Sequence, residues 1–321
     1  MKQTTFASAA WANKGKVTRR EQFLAEMNAV IPWKKLVRRI RPYYAKAGVG
    51  RQPHPLETML RIHCLQHFFN LSDPGAEEAL YDSESMRRFV GLELGEEAIP
   101  DESTILRFRH LLERHGLAGK LFAIVGKHLQ AKGLVVKSGT IVDATIIAAP
   151  PSTKNRDKAR DPEMRQGRKG KEWHFGMKLH IGTDPRGTVH SVSATHAGAA
   201  DIKQLPELLH GEEKVLFGDQ AYWSEFHRDC AKEAGVRYRV NRRAKPGRKL
   251  TEYEKRVNRS RSRARARGEH PFRVIKQLWG FRKVRYRGIA KNLARAQIAF
   301  ALANLYALRR KLLPPQVRYA L

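Results

Sequence analysis

The apolar pattern of this chain changes period near Gly133, and that switch divides any fold it can adopt. Before it, residues 55–130 read as helical. Leu56, Met59, Leu60, His63, Cys64 and His67 recur at spacings of three and four. A second helix is expected over 75–90, after Asp73-Pro74-Gly75. A third starts at Pro100-Asp101-Glu102-Ser103, where Asp101 or Ser103 can cap it. A fourth runs over 117–132. After Gly133 the period becomes that of a strand. Residues 140–147 are a β-branched run with one carboxylate, Asp143, at its middle. Residues 173–195 read as a hairpin, with Trp173, Phe175, Met177, Leu179 and Ile181 on one face and a turn at Asp184-Pro185-Arg186-Gly187. The intervening 150–171 is Pro-, Lys- and Arg-rich and reads as a long loop.

Beyond the hairpin we expect a helix over 201–210, a short buried strand at 215–217, a helix over 223–234 and a strand at 236–240. Helices near 260–279 and over 291–311 complete the chain. This order predicts an α/β fold whose sheet starts with three antiparallel strands and continues parallel, preceded by an all-helical region. The expected units are a basic arm with a short helix near 19–30 (1–50), a helical domain (51–135), an α/β domain (136–288) with a basic insert at 241–260, and a C-terminal helix packing on the core (289–321).

The charge is unevenly placed. The 321 residues carry 62 Lys and Arg against 31 Asp and Glu, a net +31. Residues 237–287 alone hold 20 basic and 3 acidic residues, whereas 51–236 is close to balanced. The basic stretch also contains Tyr253, Phe272, Trp279, Phe281 and Tyr286, so it is not a simple polar tail. A compact element bearing that charge calls for a polyanion, and nucleic acid suits it better than an anionic membrane, because no amphipathic anchor accompanies it. No apolar run approaches the length of a membrane span, and the N-terminus lacks the apolar core of a signal peptide. The two cysteines, Cys64 and Cys230, form no CxxC pair, which disfavours a thiolate zinc site and suits a reducing cytosol.

Three acidic residues stand out. Asp143 sits inside an apolar strand, where a charge is costly unless it is paired or holds a metal. A core Asp bonded to a neighbouring strand or to an Arg is the alternative. Asp219 ends a short buried strand, where the ligand sites of open α/β sheets gather; an Asx-turn is the simpler account. Asp201 competes with it but opens a helix, so capping explains it. Glu269 is the only acid after Glu254, and Arg265 and Lys276 fall within about 60° of it on a helix. An i,i+4 ion pair would explain one of these contacts. A surface that grips phosphates while one carboxylate reaches a metal explains the whole arrangement. Together the three carboxylates would make an all-oxygen site suited to two divalent cations, Mg²⁺ or Mn²⁺. His174, His180, His190 and His196 lie on the hairpin without ligand-like pairing, which disfavours zinc.

These residues carry a resemblance. The chain resembles the bacterial DDE transposases of the insertion-sequence-five group, which have a ribonuclease-H-like core. The resemblance rests on Pro55 to His63, Ile141-Val142-Asp143-Ala144-Thr145-Ile146-Ile147, Trp173 to Lys178, Glu269 to Lys276 and Gly280 to Tyr286. It implies that Asp143, Asp219 and Glu269 are the catalytic, metal-binding triad. The family signature around the Glu, Tyr-x2-Arg-x3-Glu-x6-Lys, is met by Arg265, Glu269 and Lys276, with Ser262 in the Tyr position. The implied activity is metal-dependent cutting of the element's terminal inverted repeats, followed by joining of the 3′-OH to target DNA. Expected DNA contacts are Arg261, Arg265, Arg273, Lys276 and Lys178. Trp223 would stack on an unpaired base or simply pack its helix, and Arg107 and Arg109 would lie on a recognition helix or a packing helix. Pairing two ends implies a homodimer, working in the bacterial cytoplasm at the nucleoid. A DNA-binding remnant without activity and another ribonuclease-H-like nuclease are the competing readings.

Overall fold

The computed structural model describes residues 11–313, apart from 12, 49–51, 94–96, 155, 157, 245 and 246. The first ten residues of the expected basic arm lie outside the described residues.

The N-terminal half is helical: Arg19–Val30, Trp33–Ile40, Leu56–Phe68, Asp73–Asp82, Glu84–Val90, Glu102–Arg114 and Leu117–Ala131. Local chemistry sets the starts. Thr18 and Glu21 form a capping box, Ser72 accepts from the amide of Gly75, and Asp101 accepts from the amide of Thr104 at 2.6 Å. The structure departs from expectation in two places here. The segment read as an arm contains the helix Trp33–Ile40, which buries Trp33, Leu36, Val37 and Ile40 and leaves Lys34, Lys35, Arg38 and Arg39 in solvent. The helix expected over 75–90 is two helices, broken where Ser83 is extended (ψ 104°).

The sheet has six strands: β1 (Thr140–Ala148), β2 (Arg165–Lys169), β3 (Glu172–Thr183), β4 (Val189–His196), β5 (Val215–Gly218) and β6 (Arg237–Val240). Strand β3 pairs antiparallel with β1, β2 and β4, and β1 continues parallel to β5 and then β6. The antiparallel start and parallel continuation are thus as read from the sequence. Strand β2 is not, since it lies in the stretch read as loop. Its five residues are polar or glycine and carry no apolar alternation, so only pairing with β3 defines it.

One apolar core joins the helices, one face of the sheet and the long C-terminal helix Ile289–Leu312. A smaller cluster of Val142, Leu205, Leu208, Leu216, Tyr222 and Val240 fills the other face. Polar ties cross the same contact. Asn70, at a left-handed φ of 53°, accepts from Arg285 and Arg295 at 3.0 Å each and donates to the carbonyl of Gly280. The helical region is thereby fastened to the chain that follows Glu269. Among the described residues no helix is long and apolar enough to cross a membrane.

Candidate active site

A cleft of about 990 Å³ opens where β1, the end of β5 and the chain 265–282 meet. Asp143, Asp219 and Glu269 all line it, with Thr145, Arg265, His270, Arg273, Lys276, Gln277 and Arg282. Three different elements deliver the carboxylates, so proximity comes from the fold.

Asp143 lies midway along β1, opposite Ile181 of β3. Its Oδ1 accepts from the amide of Ala144 at 2.9 Å, and its Oδ2 lies 3.2 Å from Arg265 Nη1. Its carboxyl is raised to about 6: burial is the main cause, Arg265 and the Ala144 amide work against it, and Asp219 and Glu269 add to the rise. Asp219 follows Gly218, the last residue of β5, and caps a short turn by accepting from the amide of Ala221 at 2.9 Å. The Asx-turn and the place at the cleft therefore coexist. Gly218 packs closely there: a Cβ would stand 3.0 Å from Val142 Cγ2, which would have to give by a few tenths of an ångström.

Glu269 reaches the cleft through a helix, Glu252–Arg265, that runs into a tight turn, Ala266–Glu269. Gly268 in that turn rests on β1 itself: a Cβ would meet Ile141 Cγ2 at 2.8 Å. The close approach sets Glu269 beside Asp143. Glu269 accepts from Arg265 Nη2 at 3.0 Å, so one guanidinium bridges the two acids. Lys276 follows in a π-turn, Val274–Leu278, and donates to Thr145 Oγ1 and the carbonyl of Ile146 at 3.0 Å each. Arg273 is exposed on the cleft wall.

Other expected DNA contacts lie elsewhere. Arg109 is buried, bonded at 3.0 Å to both Asp73 and Glu113, and 4.1 Å from the ring of Tyr286, the environment of the packing-helix alternative. The ammonium of Lys178 is held by Asp201 and the carbonyl of Ala199, each at 2.8 Å. That pair also replaces the capping role expected of Asp201. Arg261 is half-buried and donates to the carbonyl of Val240 at 2.6 Å, fixing its helix to β6; it is not among the residues lining the cleft. Arg107 stays exposed beside Tyr44, Gln52 and His54. Trp223 is half-buried 5.6 Å from Tyr238, in a separate pocket with Arg228, Arg242, Arg243, Arg248 and Lys249. Ser262, at the signature's Tyr position, accepts from Asn241 at 2.9 Å.

The residues fit a hard divalent cation in chemistry: three carboxylates face one cleft, and a cationic group already lies between two of them. Among the described residues, however, no three His, Cys, Asp or Glu side chains converge closely enough to hold an ion. Arg265 is paired with two of the acids, and the third, Asp219, is bonded to the amide of Ala221. Sequence reasoning missed Thr145, His270, Gln277 and Arg282 as cleft residues; Thr145, His270 and Arg282 belong to the quoted runs 141–147, 269–276 and 280–286, so a signal for them was available.

Two family models match the chain. One, described as a transposase DDE domain, covers residues 135–305. The other, described as a transposase domain, covers residues 13–111.

Proposed function

The chain belongs to the DDE transposase family, and from that premise we propose that its cleft cuts the ends of a mobile element and joins them to target DNA. The observation that carries the reading is that Asp143, Asp219 and Glu269, from a strand, a strand end and a helical turn, all line one basic cleft. The three carboxylates would hold the divalent ions; such ions, when bound, activate an attacking oxygen and stabilise the leaving one in an in-line displacement at phosphorus. Arg273 and Arg282, exposed on the cleft wall, would hold the phosphates flanking the scissile bond. Lys276 braces the opposite side through β1.

Two displacements follow. Water attacks the phosphodiester at each end, the P–O3′ bond breaks and a 3′-OH is released. That hydroxyl then attacks a target phosphodiester, forming a new P–O bond as the target's own 3′ oxygen leaves. The residues 51–135 would act as a DNA-binding and dimerising unit beside a catalytic unit at 136–288, and two copies would hold two ends. Assignment to the insertion-sequence-five group rests on the motifs quoted above.

The test is cleavage of an end-containing duplex with Mg²⁺, followed by strand transfer of a pre-cut end into plasmid. Asp143→Asn, Asp219→Asn and Glu269→Gln should each abolish both while still shifting DNA. A wild-type protein that shifts DNA and never cuts it would be a remnant; one that cuts but never joins would be another nuclease.

A further inference from the structure

The chain between the first strand and the hairpin, 150–171, has no task in the mechanism above, yet part of it is built. Strands β2 and β3 form a two-stranded ribbon whose turn is Gly170 (φ 63°). Its base is rigidly seated. A Cβ on Gly167 would lie 2.2 Å from the carbonyl oxygen of Ala197, and one on Gly176 2.2 Å from that of Ile147. Directly opposed residues share a face, as do alternate ones along a strand. The register Arg168↔Trp173 and Gln166↔Phe175 therefore puts those four side chains on one face. Trp173 is 66% exposed, and Arg160 lies 5.4 Å over Phe175. The nearby acids Asp161 and Glu163 are bonded to the amides of Gly288 and Ile289, while Glu172 points outward beside His174.

A large aromatic displayed in water beside arginine and glutamine, on a ribbon two strands wide, suits a duplex groove, which admits such a ribbon. The ribbon also continues the cleft. Along β1, Arg265 stands at Asp143 and Lys276 at Thr145 and Ile146, and exposed Arg282 and Lys283 lie against Ala148. Strand β3 carries the same line on to Trp173. From Ile181, opposite Asp143, to Trp173 is about 27 Å at the rise of a strand, or about eight base pairs of DNA.

We infer that the β2–β3 ribbon is a second DNA-contact surface, which enters a groove of the element-end duplex about eight base pairs from the scissile phosphate. It depends on the reading of the cleft as the place where DNA is cut. Arg168 supplies the phosphate or base-edge contact, Gln166 a hydrogen-bonding edge, and Trp173 the apolar contact.

The test uses the full chain with Arg168→Ala/Trp173→Ala, both exposed positions, and with Arg168→Lys/Trp173→Phe as the conservative pair. Binding is measured to end duplexes that stop about five or about fourteen base pairs from the cut, together with hydroxyl-radical footprints. The Ala pair should weaken binding to the longer duplex about ten-fold or more and erase protection near the eighth pair, leaving the shorter duplex unaffected. The conservative pair should restore most of both. Equal affinity for the longer duplex, or equal loss on both duplexes, overturns the proposal. Glu269→Gln run in parallel separates the two readings: if it still cuts, the cleft assignment fails, whereas the ribbon footprint is judged on its own.

Discussion

Replacing Arg265 with Ala should tighten the binding of divalent cations to the DNA-free protein while slowing the cutting of DNA. The guanidinium stands 3.2 Å from Asp143 and 3.0 Å from Glu269, the two acids expected to hold ions. A gross attraction at 3.2 Å is about 5 kcal/mol at an effective dielectric of 20. Desolvation offsets most of that for the largely buried Asp143, and solvent screening leaves less than about 1 kcal/mol for Glu269, whose side chain is 57% exposed. A net 1–2 kcal/mol of competition corresponds to roughly a five- to thirty-fold gain in affinity when the competitor is removed. Calorimetric titration with Ca²⁺, or Mn²⁺ counted by electron paramagnetic resonance, reads this without turnover. Arg265→Lys, which keeps the charge but not the two-pronged bridge, should fall between. Affinity equal to or weaker than wild type in the Ala variant would refute the idea that Arg265 occupies the acids until metal arrives.

Gly268→Ala places a methyl 2.8 Å from Ile141 and should displace Glu269, lowering nicking ten-fold or more (about the cost of an ångström of misplacement) with folding retained on circular dichroism. Arg109→Ala removes a buried guanidinium from the half-buried Asp73 and Glu113, of which Asp73 keeps its bond from Gln66, and should cost about 1–3 kcal/mol in denaturant unfolding. Trp223→Ala tests base stacking against packing: reduced terminal cleavage with unchanged thermal stability supports stacking, and an unchanged rate excludes it. Burial holds His63, His180 and His190 near 4 and His67 well below its ordinary value. Their unfolded forms bind protons first, so stability is full above about pH 6.5 and falls below it by up to roughly 1.4 kcal/mol per histidine per pH unit. Asp143, raised to about 6, opposes this as one group against four. Melting temperature should therefore drop between pH 7 and 5; a flat profile would show these histidines reaching water.

The sequence alone determined the periods, and with them most of the order of helices and strands, the mixed sheet and the places of Asp143 and Asp219 at a strand centre and a strand end; it put Glu269 inside a helix near 260–279, where the structure has a turn after the helix Glu252–Arg265. Such features are written locally, in apolar spacing, β-branched runs and the residues that break them. What it left open depended on partners far along the chain. Arg109, Lys178 and Arg261 look like free cations in sequence and are committed to Asp73, to Asp201 and to the carbonyl of Val240, 36, 23 and 21 residues away. Strand β2 has no pattern of its own and exists through β3. A side chain's charge and an element's spacing belong to neighbours in sequence. Whether a cation meets an acid or faces solvent is set by contacts across tens or hundreds of residues, and only the packed chain decides those.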